Sequence, residues 1–388
     1  MAETAHHTVV IVGAGVAGLT VGNFLRRHDI DCVILERRTR QHVEARQRAG
    51  TLDTRGVRLF QEWGLAEVLD AGPTAQVEGG FFLDGQAMPI EVDQEDNESI
   101  FIPQQVLVRR LADIYLREGG LIHYEAEVAV DDIPWSSPVV RYRDHTGATV
   151  DIRCDYVAGC DGDRGVTRSS IPAGVLTRYS HEFEYSWLSV LAAVPSKTSG
   201  MAIHTRGLAG LIPRGTDNSR IYLQCPAGDT IAHWPDERIW DELQARTGQP
   251  MERGQILSKE IVALRSVVHD PMHHGRVYLL GDAAHIVPPM SAKGIHLALF
   301  DAETFAKAVI AQLRHGDPGP LSAYSDTCLH HVWNYQAFAT WITDLMHDAG
   351  DPSYKGEFRK QVARAELRRQ FESEAANRVF SELTSGIA

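Results

Sequence analysis

Cysteine is scarce in this 388-residue chain: Cys32, Cys154, Cys160, Cys225 and Cys328 are odd in number and scattered, and no two form a CxxC pair. That distribution argues against a disulfide framework or a zinc site, and the thiols are expected to be reduced core residues of a cytoplasmic protein with no metal. The chain also lacks any apolar run approaching the roughly 20 residues of a membrane-spanning helix. Its first eight residues are polar, and the apolar residues 9–12 run straight into glycines, so no signal peptide is read there. Positive charge is in the minority, with 38 Lys+Arg against 51 Asp+Glu and a net charge of −13. This argues against nucleic acid or a membrane surface as partner. A small anionic substrate stays possible, because a local arginine cluster outweighs a mean field. Repeats, low-complexity tracts and Gly/Ser/Pro-rich linkers are missing too, so two or three domain-sized units are expected to be interleaved.

What the chain does have begins with a β-branched run over residues 8–12, then Gly13-Ala14-Gly15-Val16-Ala17-Gly18, a helical pattern to about residue 27, and a second apolar run over 31–35. This is the form of a βαβ unit. Gly13 permits the tight turn, Gly15 lets the backbone approach a pyrophosphate, and Gly18 lets the helix pack on the strand, while the helix N-terminus supplies partial positive charge. Glu36 ends the second strand, 18 residues beyond Gly18, where an acid accepts hydrogen bonds from a ribose diol. The motif alone fits FAD or NAD equally. Two further apolar strands run into glycine turns, one into Asp161-Gly162 and one over residues 276–280 into Gly281-Asp282. Singly, each is as readily a plain turn; in this order behind the glycine motif they point to FAD, with the carboxylates toward ribityl hydroxyls. Further along, helices are expected over 52–63 and 106–118, a hairpin over 81–83 and 88–92, and a strand over 121–130. A strand-rich stretch covers 185–225, followed by a helix over 235–246. From residue 293 the pattern is mainly helical, with a charged amphipathic helix over 359–381. A nucleotide domain in pieces, with an antiparallel sheet inserted between them, accounts for this order.

The strings VVIVGAGVAGL, VILERRT, RQRAG, CDYVAGCDGDRGVTRSSIP, SRIYLQ, WPDERIW and GRVYLLGDAAHIVPPMSAKG run from residue 9 to about residue 294, with a weaker SEA echo at 373–375. In them the chain resembles the class A flavoprotein aromatic hydroxylases of the 4-hydroxybenzoate 3-monooxygenase subgroup. The resemblance implies a mixed α/β fold. A Rossmann-like FAD-binding domain of the glutathione-reductase type would cover 1–75, 98–180 and 268–345. A substrate-binding β-sheet domain would cover 76–97 and 181–267, and a C-terminal helical interface segment 346–388, in a homodimer. It implies FAD, NADPH or NADH, and O₂, with oxygen transferred to an aromatic ring from a flavin C4a-hydroperoxide. For FAD it points to Gly13, Gly15, Gly18, Glu36, Arg37, Arg48, Gln104, Asp161, Gly162, Asp282, Pro289, Lys293 and Gly294, with the backbone at Pro289 beside the reaction centre. No second glycine motif occurs in a βαβ context, which agrees with a nicotinamide bound in a surface groove near Arg38, Arg46 and Arg168. Arg37-Arg38 would suit a 2′-phosphate and favours NADPH.

The same resemblance assigns a substrate carboxylate to Arg214, Arg220 and Tyr222, although an arginine–tyrosine pair on an exposed sheet face would show the same alternation. Ile212 stands where the family has a serine. Met201 occupies the position of one of the family's two phenol-ionising tyrosines, Thr384 lies at or near the other, and Gln76 falls where the relay histidine is expected. None of these can run that relay. His296 replaces an asparagine beside the flavin, either as a new proton carrier or as a structural histidine. The substrate expected is a small aromatic carboxylate, 4-hydroxybenzoate-like but amino-substituted, already electron-rich or larger. Rival readings are an oxidase or reductase of the same superfamily without oxygen insertion, and a non-enzymatic FAD-fold protein. A flavin halogenase would need a Trp-x-Trp-x-Ile-Pro segment, which the chain lacks.

Overall fold

Val9, Val10, Ile11 and Val12 leave no polar side on the strand Ala5–Val12, and all four are buried, as in a parallel strand covered on both faces. In the computed structural model, which describes residues 5–46, 50–70, 78–83, 85–88, 98–129, 138–196, 198–351 and 353–387, this strand is the centre of a parallel sheet. The order is Val277–Leu279, Thr149–Gly159, Ala5–Val12, Cys32–Glu36, Leu121–Tyr124, all parallel. Val139–Arg143 adds an antiparallel arm to the first half of Thr149–Gly159. The helices Val16–Arg26, Gln104–Arg117 and Gly294–His315 pack together in the same unit.

The chain divides into two compact units. The first comprises Met1–Asp70, Ser99–Ser180 and Ser266–Ala337, and the second Ala71–Glu98, His181–Arg265 and Phe338–Ala388. The second unit holds a mainly antiparallel sheet in the order Gln255–Asp270, Thr177–Ala193, Asn218–Pro226, Ala209–Arg214, Thr198–Ile203, Glu78–Leu83, Gln86–Met88. Thr198–Ile203 and Glu78–Leu83 run parallel to each other. The two long strands Thr177–Ala193 and Gln255–Asp270 carry the chain between the units. One sheet face, with Leu188, Val190, Ala192, Ile221, Leu223 and Cys225, closes on Trp234, Ile239, Trp240 and Leu243 of the helix Asp236–Thr247 and the turn before it.

The C-terminal helices group with this second unit instead of standing apart as a third segment. Ser373 caps the helix Glu374–Ser385, Phe380 meets Phe338 and Phe371, and Trp341 Nε1 donates to Glu366 at 3.1 Å. The five thiols are free and buried. Among the described residues no helix is long and apolar enough to cross a membrane.

Candidate active site

The glycine turn after Ala5–Val12 is shaped by close backbone approach. Gly13 has φ +108°, and a Cβ there would lie 2.4 Å from the Cys160 carbonyl; one at Gly18 would lie 2.0 Å from the Gly13 carbonyl. Gly15 is different: a Cβ there would meet no atom within 4 Å. It is the N-cap of the helix Val16–Arg26, whose first turn holds no acid and no side-chain cap, so the amide ends face an open cradle suited to a pyrophosphate. Glu36 lies at its side, accepting from Ala14 N at 2.9 Å and Arg38 N at 2.7 Å. Gly162 and Gly294 likewise face open space, the latter at the N-terminus of Gly294–His315, which also lacks a cap and an acid. The donor set and the three open glycines fit FAD.

The two carboxylate turns are not equivalent. Asp161 is turned inward, accepting from Thr167 N at 2.8 Å and Thr167 Oγ1 at 2.9 Å, and burial raises its carboxyl despite those bonds. Asp282 sits half-buried in the turn Gly281–Ala283, which Asp301 secures by accepting from Gly281 N at 2.8 Å and pairing with His285 at 2.7 Å. Arg168 binds the turns together, donating to the carbonyls of Ala283 (2.9 Å) and Asp163 (2.6 Å). Its guanidinium is thus engaged inside the unit. Arg37, Arg38 and Arg46 are exposed, Gln104 opens the helix Gln104–Arg117, and Pro289 is exposed at the start of a short turn that ends at Ala292 with φ +54°. Arg48 and Gln76 lie outside the described residues.

Around Lys293 the first unit buries a cluster that sequence reasoning found only in part. Asp53 caps the helix Thr54–Glu62 through Gly56 N at 3.0 Å, and its second oxygen lies 2.7 Å from Lys293 Nζ and 2.9 Å from His296 Nδ1. The His296 contact is off the axis of a directed hydrogen bond. Burial opposes charge on Asp53, but His296 and Lys293 hold its carboxyl well below the usual range. Burial also lowers both Lys293 and His296. With His296 thereby neutral, Lys293 is the standing counter-charge. His296 Nε2 lies 2.8 Å from His331 Nε2, and Tyr335 rests against both rings. Neither Asp53 nor His331 was singled out by sequence, since neither carries a motif.

In the second unit the sheet face opposite the core gathers all five substrate candidates. Registration sets Ile212 beside Arg220, Gly210 beside Tyr222, and Met201 beside Gly210. Arg220 is buried and donates to Ser189 Oγ at 3.2 Å. Burial lowers Arg214, the neighbouring Arg220 charge adds to that, and Tyr222 opposes it through a hydrogen bond. A Cβ on Gly210 would lie 2.5 Å from Met201 Sδ and 3.4 Å from the Tyr222 ring, so the missing side chain makes room for the methionine. Trp187 packs on Tyr222 and donates through Nε1 to His347 Nε2 at 2.6 Å, while His347 Nδ1 donates to the Thr343 carbonyl at 2.6 Å. Burial pushes His347 down to about 4. Thr384 donates to its own helix carbonyls.

Two outcomes follow from this geometry. Gly15→Ala should melt within a few degrees of the parent but lose flavin affinity at least tenfold, whereas Gly18→Ala should lose fold stability as well; flavin fluorescence titration and thermal melts separate them. His347 in the unfolded chain takes a proton near pH 6.5, but in the folded chain only near 4, so the unfolded state binds more protons in between. Its contribution, up to about 3 kcal/mol, is complete above that window and lost as pH falls through it. Urea midpoints from pH 7.5 to 4.5 should fall less steeply for His347→Gln than for the parent.

The FAD binding domain family model matches residues 6–339. p-Hydroxybenzoate hydroxylase of Acinetobacter baylyi is 32% identical over 396 residues, covering 99% of this chain and 96% of that protein. A rifampicin monooxygenase of Streptomyces venezuelae is 28% identical over 332 residues, covering 81% and 67%. Among solved structures, p-nitrophenol 4-monooxygenase from Pseudomonas putida superposes with a TM-score of 0.83 over 100% of this chain and 99% of that one, at 17% identity, a likeness of fold alone. With a family match across most of its length and a near-full-length relative above 30% identity, the chain belongs to the FAD-binding family of flavin-dependent aromatic hydroxylases.

Proposed function

We propose that this chain hydroxylates an aromatic carboxylic acid, taking reducing equivalents from NADPH or NADH and oxygen from O₂. The observation that carries the reading is the placement of buried Arg220 and half-buried Arg214 with Tyr222 on one sheet face. Two guanidinium charges side by side in low dielectric repel, and a carboxylate between them relieves that repulsion while gaining bidentate hydrogen bonds. The near-full-length relative acts, by its name, on p-hydroxybenzoate, which supports the same substrate class. FAD, when bound, supplies the redox and oxygen chemistry; the residues of this chain bind the acid, orient the ring and keep water away.

Gly15 and the helix behind it would hold the pyrophosphate, Glu36 a ribose, and Asp282 with Gly294 the flavin end. Arg37, Arg38 and Arg46, all exposed, would meet the nicotinamide cofactor; Arg168, engaged with two carbonyls, would act by holding the turns. At the ring end, Met201 and Ile212 offer apolar bulk and no proton. They suit a ring that needs no phenol ionisation, such as an aminobenzoate or an already electron-rich acid.

The test is a panel of hydroxy-, amino- and methoxybenzoates with the FAD-loaded protein, following NADPH oxidation and hydroxylated product together. Arg220→Met should retain FAD but raise KM by roughly 30-fold, the equivalent of about 2 kcal/mol for a lost charged hydrogen-bond pair. NADPH consumption without organic product for every acid would overturn the reading. Fully coupled 3-hydroxylation of 4-hydroxybenzoate would overturn the part assigned to Met201 and Ile212.

A further inference from the structure

Aromatic hydroxylation of the kind proposed above consumes one proton from water per turnover: ArH + O₂ + NADPH + H⁺ → ArOH + H₂O + NADP⁺. The sheet face that carries Arg220 offers no carrier for it, since Met201 does not titrate and both nitrogens of His347 are engaged with Thr343 and Trp187. The first unit does. We propose that His296 and His331 form a two-imidazole proton relay joining solvent to the buried Asp53–Lys293 pair at the loop 288–294. The inference rests on the hydroxylase reading.

The geometry is that of a relay. The two Nε2 atoms are 2.8 Å apart, so one must carry the proton and the other accept it. With the proton on His331, His296 accepts at Nε2 and carries its own proton on Nδ1, 2.9 Å from Asp53 Oδ2. His331 is half-buried while His296 is buried, which makes His331 the outer ring of the pair and its Nδ1 the entry point proposed for the proton. A proton gained there releases the one on Nε2 to His296 Nε2, and His296 passes its Nδ1 proton to Asp53 Oδ2, the acceptor beside it, since the Lys293 ammonium has no lone pair to take it. Phe300 stacks on His331 at 3.8 Å and Tyr335 leans on both rings, which fixes them edge to edge.

A relay of this kind works only while both rings stay neutral, each with one donor and one acceptor. The surrounding charges favour that state. Burial lowers His331 to about 3, aided by His296, Arg55 and His285 against Asp53. Lys293 and Arg55 act likewise on His296. Arg55 is itself paired with Glu303 at 2.8 Å, and Glu303 with Lys307 at 2.8 Å.

The test uses the FAD-loaded protein, ¹⁵N-labelled at histidine, with His331→Phe, which keeps the stacked ring, and His331→Ala, which leaves room for imidazole. The wild-type spectrum should show His296 protonated at Nδ1 and accepting at Nε2 from pH 8 to pH 5, and His331→Phe should shift the Nε2 signal. In turnover, His331→Phe should lower kcat at least tenfold with KM within twofold and raise the solvent deuterium isotope effect. Millimolar imidazole should restore His331→Ala. Unchanged His296 signals in His331→Phe overturn the relay, as does unchanged turnover when the wild type hydroxylates. A wild type that makes no hydroxylated product from any acid strikes the hydroxylase reading instead.

Discussion

The first unit turns on one buried carboxylate. Asp53 closes the N-terminus of Thr54–Glu62, neutralises Lys293 and abuts His296, so a helix cap, an ion pair and an imidazole contact share two oxygens. Replacing such a pair by apolar groups can be neutral, but removing one partner leaves an uncompensated charge in low dielectric. The loop that precedes Gly294–His315 is therefore held by electrostatics as well as by its own bond from Ala292 N to the Pro289 carbonyl at 3.0 Å; it contains Ala292 at φ +54° and no side-chain cap at the helix start. An ordered turn there, with Gly294 facing open space, depends on Lys293 being anchored.

The second unit solves a different problem with strand alternation. Ile221 and Leu223 point to a closed core beneath Trp240, and Arg220 and Tyr222, one residue out of phase, point to the other face. A slip of one residue would bury the arginines in the core and expose the leucines, so the folding constraint and the chemical one are the same constraint. It also explains how a chain of net charge −13 presents a cationic sheet face: the sheet pleat concentrates two guanidiniums where the mean field has no bearing.

Legibility in the sequence followed the range of the interaction. The glycine motif was readable because its constraint is local, a turn that a Cβ would close at Gly13 and Gly18 but not at Gly15. The arginine face was readable because alternation is local too. Asp53 and Lys293 are 240 positions apart, His296 and His331 are 35 apart on different helices, and nothing in either neighbourhood announces the other. Arg168 shows the converse limit. The resemblance set it near the nicotinamide cofactor, and nothing in its neighbourhood announces that its guanidinium donates to the carbonyls of Ala283 and Asp163. The C-terminal helices were expected as a separate segment because their amphipathic pattern does not name the surface they cover. Phe371 ties them to Phe81 of the sheet, and Phe380 packs on Phe371 and Phe338.

These placements bear on where the molecule handles protons. In the sheet unit the positions at which the resemblance led one to expect titrating side chains hold Met201 and Thr384, the latter bonded to its own helix. His347, the buried imidazole there, has a fixed tautomer between Trp187 and Thr343, and it orients Trp187 against Tyr222 without a free lone pair. The hydrogen-bonded imidazole pair, one ring buried and one half-buried, lies instead in the FAD-binding unit, next to Lys293. In the function proposed, the substrate surrenders no phenolic proton through the sheet. Its ring would already be rich in electrons, with a carboxylate for Arg214 and Arg220 to hold. Under the proposed function, the methionine that fills the space left by Gly210 and the histidine pair beside Lys293 belong together: the acid–base chemistry would lie away from the residues that hold the acid.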